Sequence, residues 1–191
     1  MDYVKVKRAV PILLFLFVFS LVVDNSFKLI SVAIADDLNI SVTTVSWQTT
    51  LAGLVIGIGA VVYSSLSDAI SIRTLFIYGV CLIIIGSVIG YIFQHQFAVI
   101  LAARIIQTAG LAAAETLYVI YVAKYLSKDD QKTYLGLSTS SYSLSLVIGT
   151  LSGGFISTYL HWTNMFLLAL IVVFTLPFLS VSYTHLRAHE T

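Results

Sequence analysis

The sequence predicts an all-α membrane protein with six transmembrane helices. Hydrophobic residues make up 59% of the chain and charged residues 10%, and the mean hydropathy is +0.98, which soluble domains do not reach. Six apolar runs are near the length of about 20 residues that crosses a bilayer core. The net charge of +1 indicates no nucleic-acid partner, and a lone cysteine, Cys81, excludes an intrachain disulfide.

The six spans are separated by short polar connections and together form one domain, residues 1–180. The spans cover residues 9–35, 42–66, 75–93, 98–124, 134–159 and 163–179. Pro11 lies near the start of the first span, where a helix tolerates proline. A signal peptide is the alternative for this first run, but the run is too long, contains Asp24 and Lys28, and is followed by further spans. The sixth run is of marginal length.

Lysine and arginine are distributed unevenly between the connections. Six spans place seven of them on one side of the membrane and none on the other. The seven are Lys5, Lys7, Arg8, Arg73, Lys124, Lys128 and Lys132. Because basic residues are enriched in cytoplasmic loops, the N-terminus is expected in the cytoplasm.

The fourth span carries two charged residues, Arg104 and Glu115. An ionised residue at the centre of a membrane helix costs about 2.5–3.5 kcal/mol, so neither should face lipid. Eleven residues make about three helical turns, which puts both on nearly the same side, about 16 Å apart along the axis. Gln107 lies one turn from Arg104. This polar stripe predicts a helix bundle around a polar cavity.

Asp24 and Lys28 lie one turn apart on the first span. They could simply neutralise each other, or Asp24 could approach Arg104 at a similar depth and respond to protonation. Glu115 likewise has two interpretations: a titrating or substrate-binding acid, or a hydrogen-bond partner of the serines at 138–145. The candidate substrate cavity comprises Lys28, Gln107, Tyr118 and Tyr142.

The last eleven residues, 181–191, break the apolar pattern. One back-translation of them resembles a transposase-type sequencing-library adapter. We therefore expect a non-native tail, with the gene continuing elsewhere; a natural cytoplasmic tail is the alternative. His185 and His189 are given no function, and no metal site is predicted.

Three motifs resemble those of the major facilitator superfamily. Residues 64–75, S-S-L-S-D-A-I-S-I-R-T-L, resemble the loop motif G-x-L-a-D-r-x-G-r-K-x-x-L through Asp68, Arg73 and Leu75. Residues 104–113, R-I-I-Q-T-A-G-L-A-A, are similar to R-x-x-Q-G-x-G-x-A-A. Residues 145–154, S-L-V-I-G-T-L-S-G-G, resemble the antiporter motif G-x-x-x-G-P-x-x-G-G. They occur in the family's order and on the expected spans.

This resemblance covers residues 9–179 and points to bacterial tetracycline and multidrug efflux proteins of the drug:proton antiporter group. It implies the N-terminal half of a fold built from a 3+3 inverted repeat, in the bacterial cytoplasmic membrane, with the C-terminal half missing. The implied partners are protons and a small amphipathic drug. The proton gradient supplies the energy, with no cofactor and no enzymatic activity.

The resemblance also implies roles for individual residues. Asp24, Arg104 and Glu115 would couple protons to transport, and Asp68 and Arg73 would form a cytoplasmic gating loop. Gly149, Gly153 and Gly154 would pack closely against another helix, or form a sliding contact that closes one side of the cavity.

Solute uptake by the same superfamily and a non-transporting membrane scaffold are the alternative functions. An intramembrane serine protease using Ser152 and His161 is disfavoured, because nine residues along a helix place them about 13 Å apart, too far for a Ser–His hydrogen bond.

Overall fold

The computed structural model describes residues 3–184, with side chains through residue 179, and its regular structure there is helical. The helices are α1 (Tyr3–Leu29), α2 (Ser31–Leu38), α3 (Val42–Ala69), α4 (Ile72–Ile92), α5 (Phe97–Tyr125), α6 (Lys128–Tyr159), α7 (Asn164–Ala169) and α8 (Thr175–Thr184), with a 3-10 helix at Leu170–Phe174 between the last two.

Four of the described helices, α1, α3, α4 and α5, are long and apolar enough to cross a membrane. Helix α6 has 32 residues, about 48 Å by helical rise, but its serines and its charged first turn make it more polar. The last apolar segment, Asn164–Leu179, is shorter. The chain is thus an all-helical protein with several membrane-spanning helices, while the count of six and the 3+3 repeat stay predictions. The tail expected from residue 181 falls outside the described residues, except for four that continue the backbone of α8.

Polar residues define several helix ends. Ser41, Ser71 and Ser127 each precede a helix and accept a hydrogen bond from the N–H three residues later, at 3.1, 3.2 and 3.3 Å, which satisfies a donor that the helix itself cannot. Asn39 ends α2 in the left-handed conformation, with φ 51°.

The sequence predicted one continuous first span over residues 9–35, but the structure divides it at Ile30 into α1 and α2.

Helix α5 lies at the centre of the bundle and packs against α1, α3 and α4. Its contact with α4 requires small residues, because a Cβ on Gly86 would lie 2.5 Å from the backbone nitrogen of Gln107 and 2.6 Å from the carbonyl of Ala103. Helices approach this closely only where side chains are minimal. Arg104 and Gln107, two members of the polar stripe of α5, are buried among these helices, and Glu115 is partly exposed.

Side-chain contacts fasten α1 to α6 at the end of the bundle that carries the basic connections. The Lys7 ammonium lies 3.0 Å from Asp130, and the Tyr3 hydroxyl donates to Asp130. The hydrogen bond from Tyr3, and then the bond from Lys7, lower the pKa of the partly exposed Asp130 carboxyl below its ordinary value of 3.8. At the opposite end, the Trp162 indole donates to Asp37 at 2.9 Å and so joins α2 to the turn before α7.

Candidate functional site

A buried cluster of charges joins α1 to α5. Asp24 Oδ1 lies 3.4 Å from Arg104 Nη2, and the two side chains are 10% and 2% exposed. The other carboxylate oxygen of Asp24 lies 3.0 Å from the Lys28 ammonium, whose side chain is 47% exposed. Asp24 thus contacts both Lys28 and Arg104, while its response to protonation stays a prediction.

Three oxygen atoms and one aromatic ring surround the Arg104 guanidinium. Gln48 Oε1 accepts from Nε at 3.1 Å, Gln107 Oε1 accepts from Nη1, and Asp24 accepts from Nη2. The Phe27 ring lies 3.8 Å from the guanidinium carbon, in a cation–π contact. Neutral amides therefore hold two edges of the planar fork and the carboxylate holds the third.

A hydrogen-bond chain extends this cluster to α4. Gln107 Nε2 donates to Ser87 Oγ at 2.9 Å, and Ser87 in turn donates to a backbone carbonyl of its own helix at 2.6 Å. Because Gln48 belongs to α3, the network links four helices. Of the residues predicted for this region, Asp24, Lys28, Arg104 and Gln107 are brought together here.

Glu115 lies farther along α5, with one buried carboxyl oxygen, Oε1, that has no hydrogen-bond partner. Its carboxyl is within electrostatic reach of Asp24 and Lys28. The predicted alternative, in which a serine hydroxyl of α6 donates to that oxygen, is absent. A buried carboxyl oxygen without a partner is costly, and the titrating or substrate-binding role of Glu115 stays a prediction.

The two predicted cavity tyrosines occupy different environments. Tyr118 is fully buried, packs against Phe17 with ring centroids 5.0 Å apart, and donates to the carbonyl of Tyr134 at 3.0 Å. Tyr118 thus joins α5 to α1 and α6 within the core, and its place in a substrate cavity stays a prediction. Tyr142 is half exposed on α6.

Two of the three predicted glycines form the contact between α6 and α1. A Cβ on Gly149 would lie 2.8 Å from the Cβ of Asn25, and one on Gly153 would lie 2.6 Å from the carbonyl of Ser26. The Ser26 hydroxyl also donates to the Gly149 carbonyl at 2.9 Å. A Cβ on Gly154 would meet no atom within 4 Å, so Gly154 does not take part in this packing.

The predicted gating loop contains an ion pair that the sequence did not reveal. Asp68 Oδ1 lies 3.2 Å from the Lys124 ammonium, which also donates to the carbonyl of Ser67 at 3.3 Å. This pair joins the end of α3 to the end of α5. Arg73 lies in the first turn of α4, beyond the same connection.

Sequence reasoning missed Gln48, Ser87 and Lys124. Gln48 and Ser87 are polar residues within apolar runs, a signal that could have identified them, but their partners lie 56 and 20 residues away. Lys124 was used only to assign the topology. Residues this far apart in the sequence show no periodic pattern, so only the three-dimensional structure shows which of them are partners.

The sequence model of the family described as "Major Facilitator Superfamily" matches residues 12–191, nearly the whole chain. The chain belongs to this superfamily. It is therefore a multi-pass membrane protein of a transporter family, and the predicted resemblance is confirmed at the level of the superfamily.

Several proteins described as MFS-type transporters share about a quarter of the aligned residues with the chain. The uncharacterized MFS-type transporter YbcL of Bacillus subtilis (strain 168) is 27% identical over 153 residues, 76% of this chain and 39% of the relative. The MFS-type transporter tstD of Talaromyces stipitatus is 26% identical over 149 residues, 76% of this chain and 26% of the relative. The uncharacterized MFS-type transporter YtbD of Bacillus subtilis is 26% identical over 170 residues, 87% of this chain and 42% of the relative. The chain thus spans about two fifths or less of the length of these relatives.

Proposed function

We propose that the chain is the N-terminal six-helix half of a proton-coupled efflux transporter that moves amphipathic drugs, of the multidrug or tetracycline type, by alternating access. The observation that carries this proposal is the buried contact between Asp24 on α1 and Arg104 on α5. Ionised groups inside a membrane protein are costly and mark ion or substrate pathways.

Protonation of Asp24 removes the charge that attracts Arg104 to α1. Arg104 keeps its bonds to Gln48 and Gln107, whereas α1 loses its charged contact with α5. A carboxylate beside a guanidinium favours its ionised form, and an isolated one in apolar surroundings favours the protonated form. A proton can thus bias the packing of α1 against α5, and the proton gradient supplies the energy.

Glu115 is the second acidic group of the proposed mechanism. Its unpaired oxygen suits either a second proton or the cationic group of a drug. Lys28 and Tyr142 are the exposed polar groups assigned to the substrate cavity, and Gln107 contributes through Arg104.

Two contacts are proposed to guide the movement between states. Gly149 and Gly153 would allow α6 to slide on α1, because neither glycine carries a side chain at this close contact. The loop with Asp68 and Arg73 holds the cytoplasmic ends together in the outward-open state, and the Asp68–Lys124 pair contributes to this closure. In this proposal the N-terminus lies in the cytoplasm of a bacterial cell, which the basic connections on that side support.

The second half of the transporter is proposed to follow in the gene. In this superfamily the substrate site lies near the midplane between two halves that rock against each other. Sequencing the genomic locus downstream of Leu179 should show six or eight further apolar spans. A stop codon there in the native gene would contradict the half-transporter assignment.

Transport direction separates efflux from uptake and from a scaffold. The antiporter-like residues 145–154 favour export. In everted membrane vesicles that contain the complete transporter, acidification of the lumen should drive accumulation of a fluorescent amphipathic drug. Accumulation in right-side-out vesicles with inward proton flow would show uptake, and no gradient-dependent movement of any substrate would favour the scaffold.

A further inference from the structure

Gln48 connects Arg104 to the break between α1 and α2. Its Oε1 accepts from Arg104 Nε at 3.1 Å. Its amide nitrogen donates to the carbonyl of Phe27 at 2.9 Å and to the Ser31 hydroxyl at 3.2 Å. Phe27 lies in the last turn of α1 and Ser31 is the first residue of α2, so the amide bridges the break at Ile30.

We propose that Gln48 is a positioning residue that ties the Arg104 guanidinium to the α1–α2 break, so that the ion pair with Asp24 controls the direction of α2. This inference rests on the proposed proton coupling, because the link transmits a change in the charge of Asp24. The link itself depends on the contacts of Gln48, and it goes beyond proton coupling because it connects the charge cluster to α2 at the end of the bundle.

The amide is suited to this role because all of its polar atoms are used. Both N–H groups donate across the break and the carbonyl accepts from Arg104, and the residue is 1% exposed. A planar amide in a closely packed interior cannot shift toward Arg104 without changing its bonds at the break. An apolar residue of similar size would fill the space but would make no link.

The break leads to the outer contact of the bundle. Ile30 has φ −86° and ψ 4°, outside helical geometry, and α2 is only 8 residues long. Near its C-terminal end, Asp37 accepts the bond from the Trp162 indole. A change in direction at Ile30 is therefore transmitted to the contact between α2 and the turn before α7.

The event that would change the link is a change in the charge of Asp24, so the charged groups around this carboxylate matter. Among the described residues, the charged or titratable groups that act on it are Lys28 from its own helix and Arg104 from α5, with Glu115 of α5 within electrostatic reach. Asp24→Asn imitates the protonated carboxyl and leaves the side chains of the other three groups in place.

The test measures how fast a thiol on α2 is labelled. In the 191-residue chain, Cys81→Ala removes the native thiol and Val32→Cys places a reporter at a position that is 56% exposed. The protein is reconstituted in lipid vesicles and labelled with a membrane-impermeant maleimide. Labelling rates are measured with Asp24 or Asp24→Asn, and each of these is combined with Gln48, Gln48→Leu or Gln48→Glu. Thr50→Val is the matched control, because Thr50 bonds only within its own helix and is exposed.

With Gln48 present, Asp24→Asn should change the labelling rate about threefold to tenfold, the ratio that one hydrogen bond of ordinary strength can produce. In Gln48→Leu and Gln48→Glu the rates with Asp24 and with Asp24→Asn should be equal. Gln48→Glu keeps an acceptor for Arg104 but loses both donors at the break, so it separates the link from the burial of Arg104. Thr50→Val should keep the full change.

Two results would overturn the link: an undiminished change in both Gln48 variants, or no change when Gln48 is intact. Neither result bears on transport, which is measured separately. Loss of proton-driven transport in the unsubstituted complete protein contradicts the proposed function instead, even if the labelling pattern is as expected.

Discussion

Replacement of Arg104 by lysine keeps the positive charge but removes the planar fork, so it tests whether geometry or charge holds the centre of the bundle. The guanidinium bonds to oxygens on three helices, from Asp24, Gln48 and Gln107, and stacks on Phe27 at 3.8 Å. A single ammonium cannot reach all three oxygens.

The magnitude follows from the contacts that are lost. At least one buried amide oxygen becomes unpaired, which costs about 1–3 kcal/mol, and loss of the stacking on Phe27 adds about 1–2 kcal/mol. Arg104→Lys should therefore destabilise the fold by about 2–5 kcal/mol, a large part of the typical stability of a domain.

The half-buried thiol of Cys81 on α4 provides the assay. Thermal unfolding in detergent is followed by the reaction of this thiol with a fluorogenic maleimide. Arg8→Lys, the same change at an exposed position, is the matched control and should leave the midpoint unchanged. Equal midpoints for Arg104→Lys and Arg8→Lys would refute the reasoning, because they would mean that charge alone suffices.

Two further predictions concern the contact between α1 and α6. Gly149→Leu should destabilise the thermal transition by about 1–3 kcal/mol through overpacking, whereas Gly154→Leu, where a Cβ meets no atom within 4 Å, should leave it unchanged; equal losses would contradict the packing. Bonds from Tyr3 and Lys7 lower the pKa of Asp130, so its contribution to stability is complete above the ordinary carboxyl value of 3.8 and is lost as the pH falls through the lowered pKa. When the thermal midpoint is measured at decreasing pH, it should fall below pH 3.8 in the unsubstituted protein, and Asp130→Asn should lack this fall. The same acid profile in both proteins would contradict the prediction.

The residues of the charge cluster could be predicted from the sequence because charges inside apolar runs are rare. Asp24 and Arg104 were each identified in this way. Their contact at 3.4 Å was only one of two alternatives, because a similar depth in the membrane does not make two helices neighbours.

The details that the sequence did not reveal depend on packing between distant segments. The break at Ile30 interrupts an apolar run that contains neither proline nor glycine at that point, so local pattern favoured a continuous helix. Tyr118 is buried because Phe17 of α1 covers it, and Gly154 points away from α1 although Gly153 contacts it. Each outcome depends on the rotation of a helix about its axis, which spacing along one helix does not determine.

The central claim is that the charge of Asp24 couples protons to transport, and one measurement tests it most directly. The complete transporter and its Asp24→Asn variant are reconstituted in proteoliposomes, and drug movement is measured with and without a pH gradient. We expect Asp24→Asn to abolish gradient-driven uphill transport while drug binding persists, since the variant removes only the charge that a proton would neutralise. Undiminished uphill transport by Asp24→Asn would exclude Asp24 from proton coupling.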